Sequence, residues 1–147
     1  MTKVTPFLWY NGNLNDAITL YTSVFPNSQV VSTSPGPNGL MSATIEIEGQ
    51  RLILFNGGPG PELSPAVSLF VSCETQEEID RLWTQLTAGG GMESQCGWLV
   101  DPFGLSWQII PSVLPGLLGN ADRERSSRAL KAMLGMKKLD IVTLQNA

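Results

Sequence analysis

The chain has 147 residues, 42% of them hydrophobic and 15% charged, which fits one folded protein with a real core and argues against a disordered chain. Nine Lys and Arg against 13 Asp and Glu leave a net charge of -4, with no basic run able to neutralise several phosphates, so nucleic acid is not an expected partner. There is no histidine, which removes Ser-His-Asp and Cys-His nucleophile activation together with the commonest metal ligand.

The opening residues lack the pattern of a signal peptide and no apolar run reaches the roughly 18 residues of a spanning helix. The expectation is a cytoplasmic protein with no membrane contact. Cys73 and Cys96 are too few for a disulfide framework and read as free thiols.

Residues 4–10, Val-Thr-Pro-Phe-Leu-Trp-Tyr, predict an aromatic-rich strand with Pro6 near its start. A helix follows, with Asn13 as N-cap and Ala17, Leu20, Tyr21 and Val24 on its apolar face, ending at Pro26. Gln29 to Ser32 is a short strand, and Ser34-Pro-Gly-Pro-Asn-Gly39 reads as a loop. Met41 to Glu48 alternates apolar and polar residues and, after Gly49-Gln50, pairs with Arg51 to Phe55. Gly57-Gly-Pro-Gly-Pro61 lacks the phosphate-loop pattern and reads as a linker between two half-domains.

Ala66 to Cys73 is the next strand, and Thr75-Gln-Glu-Glu78 is a capping box opening a helix with Ile79, Leu82, Trp83 and Leu86 on its apolar face. Gly89-Gly-Gly91 stops it. The two helices repeat at a constant offset of 62, with Asn13 matching Thr75 and Ala17 matching Ile79, so the chain reads as a duplication of a βαβββ module. The most informative stretch is Cys96 to Pro111, CGWLVDPFGLSWQIIP, a hairpin turning at Asp101-Pro-Phe-Gly104. Alternation puts Ser106, Gln108 and Ile110 on one face and Leu105, Trp107 and Ile109 on the other, so one amide stands in an apolar strand. Beyond Pro111, Asn120 or Asp122 starts a helix to about Gly135 with Leu130, Met133 and Leu134 on one face. This amphipathic tail suggests a homodimer, packing across a partner copy.

The paired modules, the segment Leu20-Tyr-Thr-Ser-Val-Phe-Pro26, the 96–111 hairpin and the tail Met136-Lys-Lys-Leu-Asp-Ile141 resemble the PhnB-like branch of the vicinal oxygen chelate superfamily. The branch is also labelled 3-demethylubiquinone methyltransferase-like, although no glycine-rich adenosylmethionine loop follows a first strand. The resemblance implies an α+β fold of two βαβββ modules, 1–60 and 61–111, forming a cup-shaped mixed sheet, with 112–147 as a helical extension. In that superfamily metal ligands from both modules surround the cup. Here Gln108, Ser68, Ser42 and, to within one residue, Pro6 stand where ligands are expected, and amide and hydroxyl groups are weak donors for a transition ion.

The resemblance therefore implies a metal-free cup with no cofactor, lined by Gln108, Ser106, Ile110, Ser68, Phe70, Ser72, Leu8, Tyr10 and Ser42, holding a small, partly hydrophobic or aromatic molecule. Two alternatives stand beside it. One is a lyase, isomerase or dioxygenase-type enzyme with a residual metal or the carboxylates of Glu46 and Glu48, which share a strand face; the other is an interaction protein with a collapsed cup. Cys96 has no base beside it in sequence to make it a nucleophile.

Overall fold

A computed structural model describes residues 3–147. The chain divides into two compact units, one ending at Leu63 and the other running from Ser64 to Ala147.

In the first unit β1 (Phe7–Tyr10) leads into α1 (Leu14–Val24), then β2 (Ser28–Gly36), β3 (Gly39–Ile47) and β4 (Gln50–Asn56). The sheet order is β1-β4-β3-β2, with β1 parallel to β4 and the other pairs antiparallel. Leu14, Ala17, Ile18, Tyr21 and Val24 of α1 are buried, while the expected Leu20 is only half-buried. They pack on the sheet face that carries Leu8, Tyr10, Ala43, Ile45, Ile47, Leu52 and Leu54.

The 34–39 tract is not a loop throughout. β2 continues through Pro35 and Gly36, which pair with Leu40 and Gly39, because β2 is the sheet's outer strand and a proline without an N–H is tolerated there. Glu48 and Gly49, at φ 49° and 83°, form the two-residue turn between β3 and β4, the positive φ at both positions marking the hairpin turn that matches strand twist.

The second unit repeats the plan with β5 (Ser68–Cys73), α2 (Gln76–Thr87), β6 (Met92–Glu93), β7 (Trp98–Val100) and β8 (Ser106–Pro111). Its order is β5-β8-β7-β6, with β5 parallel to β8, so the duplication read from the helices extends to strand order and direction. Thr75 Oγ1 accepts from the Glu78 amide at 3.2 Å, the expected cap, and Ile79, Leu82, Trp83 and Leu86 are all buried.

The β7–β8 connection is organised by Asp101, which is 2% exposed. Its carboxylate accepts from the amides of Phe103 and Leu105 and from Trp107 Nε1 at 2.9–3.1 Å. Such charge-assisted bonds offset the desolvation of a buried carboxylate.

Three helices complete this unit: α3 (Leu114–Leu118), α4 (Arg123–Leu134) and α5 (Ile141–Gln145). Asp122 caps α4 and Asp140 caps α5. The tail seats on its own module, since Leu139 and Leu144 are fully buried with Ile110 and Leu114. The inward side of α4 is Ala129, Ala132 and Met133, and the expected Leu130 and Leu134 point outward at 44% and 58% exposure. Among the described residues no helix is long and apolar enough to cross a membrane.

Candidate functional site

In the second unit Leu99, Trp107 and Ile109 face α2 and are buried. Strand alternation turns Ser68, Phe70 and Ser72 of β5, Ser106, Gln108 and Ile110 of β8, and Trp98 and Val100 of β7 to the opposite, outer face. The register sets Phe70, Gln108 and Trp98 in one row across three strands, so the amide stands between two aromatic side chains. The next row is Ser68, Ser106 and Val100.

Gln108 Nε2 donates to Ser68 Oγ at 3.0 Å. Beside that pair Ser106 is 1% exposed, and its Oγ has no hydrogen-bond partner among the described residues. A buried hydroxyl left without a partner costs about 1–3 kcal/mol. No charged side chain stands in either row.

Six of the nine expected residues thus share one face: Ser68, Phe70, Ser72, Ser106, Gln108 and Ile110. Ile110 closes one end of it beneath Leu139 and Leu144, and Phe70 is open, at 58% exposure.

Leu8 and Tyr10 do not take an outer face. Both are buried on the side of α1, where Tyr10 Oη lies 3.0 Å from Tyr21 Oη. The physical reason is loop length. Three residues, Asn11-Gly12-Asn13, join β1 to α1, whereas two, Glu74-Thr75, join β5 to α2. The helix offset of 62 therefore slips by one residue in the strands, and a one-residue slip exchanges the two faces.

Phe7 and Trp9 take the outer face of the first sheet, away from α1. Trp9 meets Phe55 edge-on with ring centroids 5.1 Å apart, Phe7 lies 5.4 Å from the same ring, and Trp9 Nε1 donates to the Gly58 carbonyl at 2.8 Å. Gly57 is required beneath that indole, since a Cβ there would lie 2.1 Å from the ring. Ser42 is on this face too, paired with Phe55.

Glu46 is bound to Arg51 at 3.2 Å, and Glu48 sits in the turn accepting from Asn27 Nδ2. The two carboxylates do not line one strand face, because the strand ends at Ile47. The first unit also holds a cleft of about 240 Å³ between Asn11-Gly12 and the β2–β3 turn, lined by none of the expected residues.

Burial pushes the Cys73 thiol up to about 12, with Glu78 adding to the rise, so it stays protonated at neutral pH. Cys96 is half-buried with φ 59°. Trp98 and Val100 share the second unit's outer face, a placement the sequence left open. The hairpin register identifies them, once the Asp101–Leu105 loop is seen to pair Val100 with Ser106.

The pattern of the 3-demethylubiquinone-9 3-methyltransferase family matches residues 2–110. The chain belongs to this PhnB-like family. A solved relative is the putative 3-demethylubiquinone-9 3-methyltransferase, PhnB protein, of Bacillus cereus, at 32% identity and TM-score 0.69, covering 75% of this chain and 99% of its own. The protein PA1353 of Pseudomonas aeruginosa is similar at 20% identity and TM-score 0.63, over 76% of this chain and 98% of its own.

The fosfomycin resistance protein FosX of Listeria monocytogenes, solved with Mn(II) and sulfate, shares the fold at 15% identity and TM-score 0.56, over 74% of this chain and 91% of its own. No curated protein matches the chain. The fold is that of the glyoxalase/bleomycin resistance proteins of the vicinal oxygen chelate superfamily. A metal of the kind seen in FosX is not suited to the residues here. The matched positions offer hydroxyls and an amide already bound to Ser68, and among the described residues no three His, Cys, Asp or Glu side chains converge.

Proposed function

We propose that this PhnB-like protein binds a small, uncharged, partly aromatic organic molecule on the outer face of its second module without a metal. The observation that carries the reading is the buried Ser106 hydroxyl without a partner, next to the Gln108–Ser68 pair. A ligand oxygen or N–H group satisfies that hydroxyl, while Phe70 and Trp98 flank the amide with flat apolar surface. The lack of charge in these rows favours a neutral molecule over an anion, since nothing there offsets the desolvation of a carboxylate or phosphonate.

The same reading includes a homodimer in the cytoplasm. Its support is the outward Leu130, Leu134 and Val142 of the tail, apolar side chains left at 44–64% exposure. Native mass spectrometry of protein purified from its own host without chelator tests the whole proposal. A dimer carrying an organic adduct and no metal is expected. A stoichiometric bound metal, or a bound organic anion, overturns it.

A further inference from the structure

The tail from Met136 to Ile141 is fastened to the second module at four places. The amides of Cys96 and Gly97 donate to the carbonyls of Met136 and Lys137, both at 2.8 Å. Gln76 holds the backbone twice, its Nε2 donating to the Leu139 carbonyl at 3.0 Å and its Oε1 accepting from the Ile141 amide at 2.9 Å. Lys138 Nζ lies 2.8 Å from Asp80 Oδ1. Between these fastenings Leu139, fully buried, reaches Ile110. Gly97 marks the meeting point, since a Cβ there would lie 2.9 Å from Ile110 Cδ1 and 3.0 Å from Leu139 Cδ1.

Ile110 is on the same face of β8 as Ser106 and Gln108. The family pattern ends at residue 110, and the Bacillus cereus relative is matched over 99% of its length while leaving a quarter of this chain unmatched. This covering segment thus lies beyond the residues that the family pattern matches.

We propose that residues 136–141 form a strap that closes the Ile110 end of the outer face and limits how far a bound molecule extends beyond Gln108, an inference that rests on the binding reading above. Gln108 and Ile110 are two steps apart along the strand, about 7 Å, room for roughly one aromatic ring. Gln76 is the latch, a positioning residue that touches the strap and not the ligand.

Two measurements test the strap. In a Cys96→Ser background, the rate at which Ile110→Cys reacts with Ellman's reagent is compared with and without Gln76→Ala. At least a tenfold faster reaction is expected when the latch is removed, and equal rates overturn the strap. Should Gln76→Ala fail to fold by circular dichroism, Lys138→Ala loosens the same segment from its surface and is held to the same criterion at threefold.

Two neutral probes, compact 1-naphthol and the longer 4-phenylphenol, then read the gate by calorimetry. Loosening the latch raises affinity for 4-phenylphenol at least fivefold and leaves 1-naphthol within twofold. A common shift for both, or none, overturns the length limit. Failure of both probes to bind the unaltered protein overturns the binding reading, while the thiol rates still decide whether the strap closes this end.

Discussion

The two modules share strand order, strand direction and helix placement, yet their outer faces have different contents. In the first, Trp9 and Phe7 both pack on Phe55 and the indole N–H is satisfied by the Gly58 carbonyl. In the second, a glutamine stands between two aromatic residues and a buried serine hydroxyl has no partner among the described residues. One face uses its own side chains to complete itself, and the other keeps hydrogen-bonding capacity that a ligand can use. On the proposed reading, a duplicated scaffold separates a structural copy from a binding copy without changing topology.

The hairpins give the largest expected difference between the modules. Asp101→Ala removes the acceptor of three hydrogen bonds around a buried site and destabilises by about 3 kcal/mol or more in urea unfolding. Gly49→Ala in the corresponding turn costs only about 1–2 kcal/mol, the penalty of a side chain at φ 83°. Comparable losses would mean that the second hairpin does not depend on its carboxylate.

Gly57→Ala is next, at about 1–3 kcal/mol, because its Cβ displaces the Trp9 ring. A red shift of tryptophan emission should accompany it, and unchanged emission would show that the indole does not lie on Gly57.

Helix caps give a smaller contrast. Thr75→Ala costs about 1 kcal/mol. Asn13→Ala costs close to nothing, since the Asn13 side chain makes no cap bond and its buried Oδ1 has no partner among the described residues, while the Leu14 amide is served by Asn56 at 3.3 Å. Equal costs in thermal unfolding would erase the distinction.

The smallest effect concerns the tail, which only the second module carries. Hydrogen bonds from Lys138 and Gln76 hold the Asp80 carboxyl below the ordinary carboxylate range. Because the folded value is the lower one, this contribution to stability is complete above the ordinary carboxylate range and disappears as pH falls through the lowered value. An NMR titration should place the Asp80 midpoint below that of an ordinary aspartate and Lys138→Ala should raise it; a midpoint insensitive to Lys138 would detach the strap from α2.

Much of this arrangement was legible in the sequence where local rules act alone. The Thr75 capping box, the faces of β8 and the repeat of two βαβββ modules follow from spacing and period. The face of β1 was not legible in the same way. The extra residue in Asn11-Gly12-Asn13 changes no propensity and yet reverses which side Leu8 and Tyr10 occupy, so an offset measured on helices misplaces the strand. The tail escaped for another reason. Its seat depends on backbone groups of Leu139, Ile141, Cys96 and Gly97, which carry no residue-type signal, and on Ala129 and Ala132 taking the inward side beside the expected Met133, in place of the larger Leu130 and Leu134.

The central claim, that the second module's outer face is the binding face, is tested most directly by titrating 1-naphthol into chelator-treated protein and three variants. Gln108→Leu should weaken binding about tenfold, the worth of about 1.4 kcal/mol. Ser106→Ala should weaken it while making the unliganded protein more stable, by up to about 1–3 kcal/mol, since it removes a buried hydroxyl that makes no bond in the folded protein. Trp9→Ala should leave the affinity unchanged. Loss of binding on Trp9→Ala with Gln108→Leu unaffected, or binding that requires added metal, would contradict the account.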